Sequence, residues 1–326
     1  MKNIEERNKK FDEILEKIKE YNRIIIHGHI RPDGDCIGSQ YGMYYLIKDN
    51  FPEKEVIVTG EVSEYVSFIG RPNIIEDETL FKGALSICVD CATSDRLSDK
   101  RFNLADFSIK IDHHIEVDKY GDLAYVDEDA AAACEIITLF YMHHKDKLKL
   151  SKEGATALYT GLSTDTGRFK FDCVTEETFI AAANLVSCGV DLSYIDNNLS
   201  VETLDTLKLK GYCLSNFIIS KNGFAYIKMT RDVINKFGVS DEDAASQVST
   251  ISTIEGSPVW ALFIEYPNEI RIRLRSRGPE IATLANKFGG GGHAKAAGAK
   301  LETWDQLDEF VTLADNLTKE YKESIK

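Results

Sequence analysis

Apolar positions recur along this chain in two alternating rhythms. Short β-rich runs occur at 23–28, 55–59, 85–90 and 107–112. Between them the apolar residues fall at helical spacing, as over 36–48, where Ile37, Tyr41, Tyr44 and Tyr45 can share a face. Such alternation predicts a mostly parallel sheet covered by helices. Phe11, Ile14, Leu15 and Ile18 predict an N-terminal surface helix, and further helices are expected over 131–142, 153–162 and 176–187. The rhythm changes after Gly189. Residues 191–214 are polar with helical spacing and read as a connector. Strand-like runs follow at 224–229, 259–266 and 270–276, then a glycine cluster and a closing helix near 304–321. The expected fold class is α/β. A mostly parallel-sheet domain spans 1–190, a helical linker 191–220, and a smaller α/β domain 221–326.

Charge narrows the function classes. Lys and Arg number 39 against 53 Asp and Glu, for a formal net charge of −14. That acidity works against loose binding of long nucleic acid, while leaving room for a local phosphate site. No segment supplies the ~18 consecutive apolar residues of a membrane span. The N-terminus is charged from the start and lacks the apolar stretch of a signal peptide. With seven scattered cysteines, this predicts a cytoplasmic chain with reduced thiols. Cys88 and Cys91 form a lone C-x-x-C, expected as buried thiols rather than metal ligands.

Candidate chemistry clusters at the strand ends. The first strand runs into His27-Gly28-His29-Ile30-Arg31-Pro32-Asp33-Gly34-Asp35; the third ends at Asp90; the fourth ends at Asp112-His113-His114. Ligand sites in open parallel sheets form outside the carboxyl ends of strands, so three His/Asp groups converge on one edge. Asp165, at the end of a helical run, is a fourth contributor. Two carboxylates about 4 Å apart repel by roughly 4 kcal/mol at an effective dielectric of ~20, so such a pocket calls for cations. Mixed imidazole and carboxylate ligands suit Mn²⁺, and paired dications can clamp a phosphoryl group. His27 is expected to make a local hydrogen bond, and His143 and His144 to lie at the surface near a helix C-terminus.

These motifs, in this order, resemble the DHH phosphoesterase superfamily: His29-x-x-x-Asp33-x-Asp35, Val89-Asp90, Asp112-His113-His114 and Thr164-Asp165-Thr166-Gly167. Gly289-Gly290-Gly291-Gly292-His293-x-x-Ala296-Ala297-Gly298 is similar to the signature of the DHH-associated C-terminal domain. The resemblance implies that His29 and Asp33 hold one metal, that Asp35, His114 and Asp165 hold another, and that Asp90 bridges them. It implies Asp112 as the group that orients an imidazole and His113 as a residue near the scissile phosphate. Cys36 stands where an alanine is more usual. The implied cofactors are two divalent ions, foremost Mn²⁺. The implied activity is hydrolysis of short oligoribonucleotides and of 3′-phosphoadenosine 5′-phosphate. A cyclic- or linear-dinucleotide phosphodiesterase stays open as an alternative, as does a nucleotide-binding sensor outside the enzyme class.

On the substrate side, Arg271, Arg273, Arg275 and Arg277 alternate and therefore share one strand face. Arg271 and Arg277 are expected to be solvated. The family's R-S motif implies ligand contact for Arg275 and Ser276, where a guanidinium fork suits a phosphate. Gly290, Gly291, Gly292 and His293 are implied as further substrate contacts, with glycines letting a backbone approach phosphate oxygens. The expected partners are short RNA oligonucleotides or small nucleotides, with neither long nucleic acid nor a membrane. A homodimer is the expected assembly.

Overall fold

In a computed structural model, which describes residues 4–325, five strands form a fully parallel sheet. They are β1 (Arg23–His27), β2 (Glu55–Thr59), β3 (Ala84–Val89), β4 (Phe107–Asp112) and β5 (Leu123–Val126), in the order β2-β1-β3-β4-β5. The central strands are apolar on both faces because both are covered. Ile24 and Ile26 pack with Leu85, Ile87, Ile109 and Ile111 under helices, while Ile25 meets Ile75 and Phe81 on the other side. β5 was not expected from the sequence. It is a short edge strand, and only Leu123 is fully committed to the core.

The helices of this unit are α1 (Ile4–Glu20), α2 (Gly34–Asn50), α3 (Ala133–His143), α4 (Lys152–Asp165), α5 (Glu176–Ser187) and α6 (Leu192–Ser200). α1 buries Phe11, Ile14, Leu15 and Ile18, as its periodicity predicts. α2 and α4 cross closely at Gly38 and Gly161. A Cβ on Gly38 would stand 2.7 Å from the Ala157 carbonyl oxygen and 2.9 Å from Gly161 Cα. The crossing brings the start of α2, with Asp35, against the end of α4, with Asp165. The expectation for His144 needs correction. It is buried rather than exposed, because α1 covers the end of α3 and places the Phe11 carbonyl oxygen 3.3 Å from its Nε2.

The chain divides into two units between Val201 and Glu202. The segment 191–220 therefore contributes to both: α6 belongs to the first unit and α7 (Leu204–Asn216) to the second. The second unit adds β6 (Ile218–Ile219), β7 (Ala225–Met229), α8 (Arg231–Phe237), α9 (Asp241–Ser246), β8 (Val259–Glu265), β9 (Ile270–Ser276), α10 (Ala282–Lys287), β10 (Gly291–Gly292), β11 (Ala296–Leu301) and α11 (Leu307–Ser324). Its mixed sheet runs β10-β11-β9-β8-β7-β6. One face packs on α10 and α11 through Phe263, Ile272, Leu274 and Phe310. The opposite face is covered over β7 and β8 by Leu209, Ile234 and Ala244 from α7, α8 and α9. On β9 and β11 that same face carries the exposed residues Arg271, Arg273, Gly298 and Lys300. Among the described residues, no single helix is long and apolar enough to cross a membrane.

Candidate metal centre

Local folding aims each charged side chain of the first unit. His29 follows β1, and its N–H donates to Cys36 Sγ at 3.3 Å. Asp33 caps α2, its Oδ1 accepting the N–H groups of Asp35 (3.1 Å) and Cys36 (3.0 Å). Asp35, in the first turn of α2, accepts from the N–H groups of Ala133 (2.6 Å) and Cys134 (2.9 Å). The N-cap residue of α3 is Ala132, which has no polar side chain, so Asp35 caps α3 from 98 residues away. Asp90 follows β3 with a left-handed backbone, φ 53°. That conformation costs an L-residue about 1–2 kcal/mol, with Asp among the few that adopt it. Its N–H donates to the Ile111 carbonyl, so the kink is built into the sheet edge.

Asp90 stands at the middle of the cluster, 2% exposed, and its two oxygens face different imidazoles. Oδ2 lies 3.4 Å from His29 Nε2, and Oδ1 lies 3.4 Å from His113 Nε2. Asp33 Oδ1 is 3.8 Å from His29 Nε2. Asp165 Oδ2 and Asp35 Oδ2 are 3.5 and 3.8 Å from His113 Nε2. His29 Nδ1 sits 2.9 Å from the Ile30 carbonyl oxygen, a contact that requires N–H there, so a neutral ring turns its Nε2 lone pair toward the carboxylates. His113 Nδ1 likewise faces the Ala130 carbonyl, at 3.3 Å.

The electrostatics demand positive charge. Burial raises Asp35 well above the usual carboxylate range, and Asp90 and Asp165 add to it. Burial, then Asp90 and Asp33, push Asp165 up to about 6. Burial opposes charging of His113, but Asp90, Asp35 and Asp165 outweigh it and raise the ring to about 10. The Oδ1 atom of Asp90 is buried without a hydrogen-bond partner among the described residues. Imidazole nitrogens and carboxylate oxygens converging around an orphaned oxygen fit a pair of divalent cations.

The two adjacent histidines stand in different surroundings, both within reach of Asp90. His113, rather than His114, stands among Asp35, Asp90 and Asp165. The reason is Asp112, whose Oδ1 accepts both the His113 N–H (3.0 Å) and the Nδ1–H of His114 (2.8 Å). This holds His114 at the rim, its side chain 42% exposed, with Nδ1 3.7 Å from Asp90 Oδ1. The bond to Asp112 raises His114, against burial. Burial pushes Asp112 up, but His114 and Lys110 prevail and hold it below the usual range. Lys110, fully buried with Nζ 3.6 Å from Asp112 Oδ2, escaped the sequence reading because it looks like an ordinary strand residue. His27 is buried with Nε2 3.1 Å from Ser86 Oγ, and burial lowers it to about 4. Cys88 and Cys91 lie in an apolar cluster with Leu97 and Phe102.

The second unit holds the other predicted residues. Arg275 is half-buried, donating from Nη1 to the Leu274 carbonyl at 2.9 Å; burial and Arg273 lower its pKa. Arg277 lies past the strand end and donates to the Ile254 and Ser257 carbonyls. Ser276 faces the other way, its hydroxyl donating to the Pro279 carbonyl (2.6 Å) and accepting the Gly278 N–H (3.0 Å). The glycine cluster forms a hairpin, with Gly291 opposite Gly298 and Gly292 opposite Ala297. The exposed His293 closes it, N–H to the Ala296 carbonyl at 2.8 Å. Gly298 in turn pairs with Arg273, so Gly291, Gly298 and Arg273 form one cross-strand row on the solvent face.

The DHH family N-terminal domain matches residues 23–162, and the DHHA1 domain matches residues 221–320. The chain is 36% identical over 311 residues to the bifunctional oligoribonuclease and PAP phosphatase NrnA of Bacillus subtilis, covering 95% of this chain and 99% of that one. It is 39% identical to the probable bifunctional oligoribonuclease and PAP phosphatase NrnA of Streptococcus mutans, again covering 95% and 99%. The crystal structure of an exopolyphosphatase-related protein from Bacteroides fragilis superposes with a TM-score of 0.82 at 25% identity, covering 95% of this chain and 96% of that one.

Proposed function

The chain belongs to the DHH family, and from that premise we propose that it is a metal-dependent phosphoesterase hydrolysing short oligoribonucleotides to mononucleotides and 3′-phosphoadenosine 5′-phosphate to AMP. The observation that carries the chemistry is Asp90, a buried carboxylate with each oxygen turned to a separate imidazole–carboxylate set. His29 and Asp33 would hold one dication and Asp35, His113 and Asp165 the other, with Asp90 facing both sets. The mixed nitrogen and oxygen ligands favour Mn²⁺. Dications in such a pair of sites supply Lewis acidity, lowering the pKa of water and neutralising phosphoryl charge.

The remaining residues position and move protons. Asp112 keeps the proton of His114 on Nδ1 and favours a second at Nε2. His114 at the rim can then donate from Nε2 to the leaving ribose oxygen. Lys110 keeps Asp112 ionised behind it. In the second unit, Arg275, the Gly290–Gly292 hairpin and His293 take the terminal phosphate or base. Ser276 acts indirectly, fixing the turn after Arg275. The net charge of −14 favours short substrates over long strands. Seven free cysteines support a cytoplasmic location, and a homodimer is the simplest assembly.

Time courses with Mn²⁺ on di- to pentanucleotides, 3′-phosphoadenosine 5′-phosphate, and linear and cyclic dinucleotides test the proposal. Mononucleotides from the short oligomers and AMP from the bisphosphate are expected. Turnover of cyclic dinucleotides alone would replace it with the phosphodiesterase reading. Tight binding without turnover would replace it with a sensor.

A further inference from the structure

A second cluster of ligating side chains lies where α1 meets the end of α3. His143 closes α3 and His144 follows it, with ring centroids 4.5 Å apart. His143 Nε2 is 3.1 Å from Asp12 Oδ1 on α1, and His144 Nδ1 is 3.8 Å from the same oxygen. These three atoms all lie within 4.8 Å of one another.

An ion pair between Asp12 and His143 would explain only half of this. His144 is 1% exposed, and its Nδ1 is buried without a hydrogen-bond partner among the described residues. Its Nε2 faces the Phe11 carbonyl oxygen at 3.3 Å, a contact that needs N–H on Nε2. The neutral ring therefore presents a bare lone pair at Nδ1, pointed toward a carboxylate oxygen. Two electron-rich atoms facing each other require a proton or a cation between them. At 3.8 Å, His144 Nδ1 and Asp12 Oδ1 stand too far apart to share a proton in a hydrogen bond. An imidazole with one nitrogen held by a backbone carbonyl and the other free is the arrangement metal-ligating histidines adopt.

We propose that Asp12, His143 and His144 form a metal site, separate from the carboxylate-rich centre, that takes one zinc-like dication through Asp12 Oδ1, His143 Nε2 and His144 Nδ1. Ligands at about 2.0–2.2 Å in tetrahedral geometry lie roughly 3.3 Å from one another, so small rotations of the exposed Asp12 and the partly exposed His143 close the set. Two imidazoles and one carboxylate suit zinc better than manganese. The ion would clip α1 to α3, joining positions 131 residues apart.

The test compares wild type, Asp12→Ala and His143→Ala as full chains, each dialysed against buffered Zn²⁺ with excess Mn²⁺ and analysed for metal content. Zinc that enters the carboxylate-rich centre is common to all three and cancels in the difference. One more zinc per chain in wild type than in either variant is expected, with a zinc-dependent rise in Tm that is larger in wild type than in either variant. Equal zinc in all three proteins overturns the proposal. Both replaced side chains reach the surface, and unchanged manganese content in the variants confirms that they are folded.

Discussion

Asp90 combines an unfavourable backbone with the side chain proposed to serve both cations. Asn also adopts left-handed φ, so Asp90→Asn should fold normally. It should lose bound manganese and all measurable hydrolysis of a dinucleotide; near-normal activity in the folded variant would sink the two-metal reading. The adjacent histidines make a sharper pair. His113→Gln should lower manganese stoichiometry, because His113 Nε2 lies among three carboxylates. His114→Gln should retain both ions and lose roughly 10²–10⁴-fold in kcat, as expected on removing a general acid. Metal content and single-turnover rates separate the two. Much of this site was legible in the sequence, because charged residues at several strand ends imply convergence before any coordinate is known. Which of two neighbouring imidazoles points inward was not legible. That choice depends on the Asp112 carboxylate gripping the chain just after β4, a three-dimensional contact with no spacing rule behind it.

The elements show a similar division. The parallel strands were readable as short apolar runs and most of the helices by their spacing, whereas β5 is only four residues long and the glycine hairpin carries no apolar pattern to read. α3 starts in an alanine run with no cap residue, and only the fold reveals that Asp35 supplies one. Within the hairpin, the glycines separate by role. A Cβ at Gly290 would collide with the Gly298 backbone, and Gly292 has φ 140° with the Ala296 carbonyl oxygen 2.6 Å from its would-be Cβ. At Gly291 the nearest atom, Asn286 Oδ1, is 3.4 Å away. Gly290→Ala and Gly292→Ala should each destabilise by about 1–3 kcal/mol in urea unfolding. Gly291→Ala should stay within about 0.5 kcal/mol of wild type yet raise KM, since its methyl group would add bulk to the glycine hairpin proposed to meet the substrate. Inside β1, His27 titrates near 4 when folded, against about 6.5 unfolded. The unfolded chain therefore takes up a proton first as pH falls, and stability drops between pH ~6.5 and ~4 by up to about 3 kcal/mol. Urea unfolding in chelator at pH 7 and pH 4.5 should show that His27→Asn, though less stable at pH 7, loses less on acidification than wild type.

At the scale of the molecule, two units with separate cores divide the proposed work. All the proposed ligands of the carboxylate-rich centre belong to the first unit, whereas both tryptophans, Trp260 and Trp304, belong to the second. Chelation should therefore lower a calorimetric unfolding transition by roughly 5–10 °C. The transition followed by tryptophan fluorescence should hardly move, and an equal shift in both would show that metal binding supports the second unit as well. The net charge of −14 should disfavour long strands, with Arg271, Arg273 and Lys300 on the exposed sheet face as local exceptions. The left-handed turn at Asp90 also bears on how such a protein changes over generations. Single-base changes to an Asp codon can yield Asn or Gly, the two residues that best suit that backbone. Either would erase the bridging charge and leave the architecture intact. Descendants silenced at this position would still be made, folded and retained, available for recruitment as nucleotide receptors without chemistry.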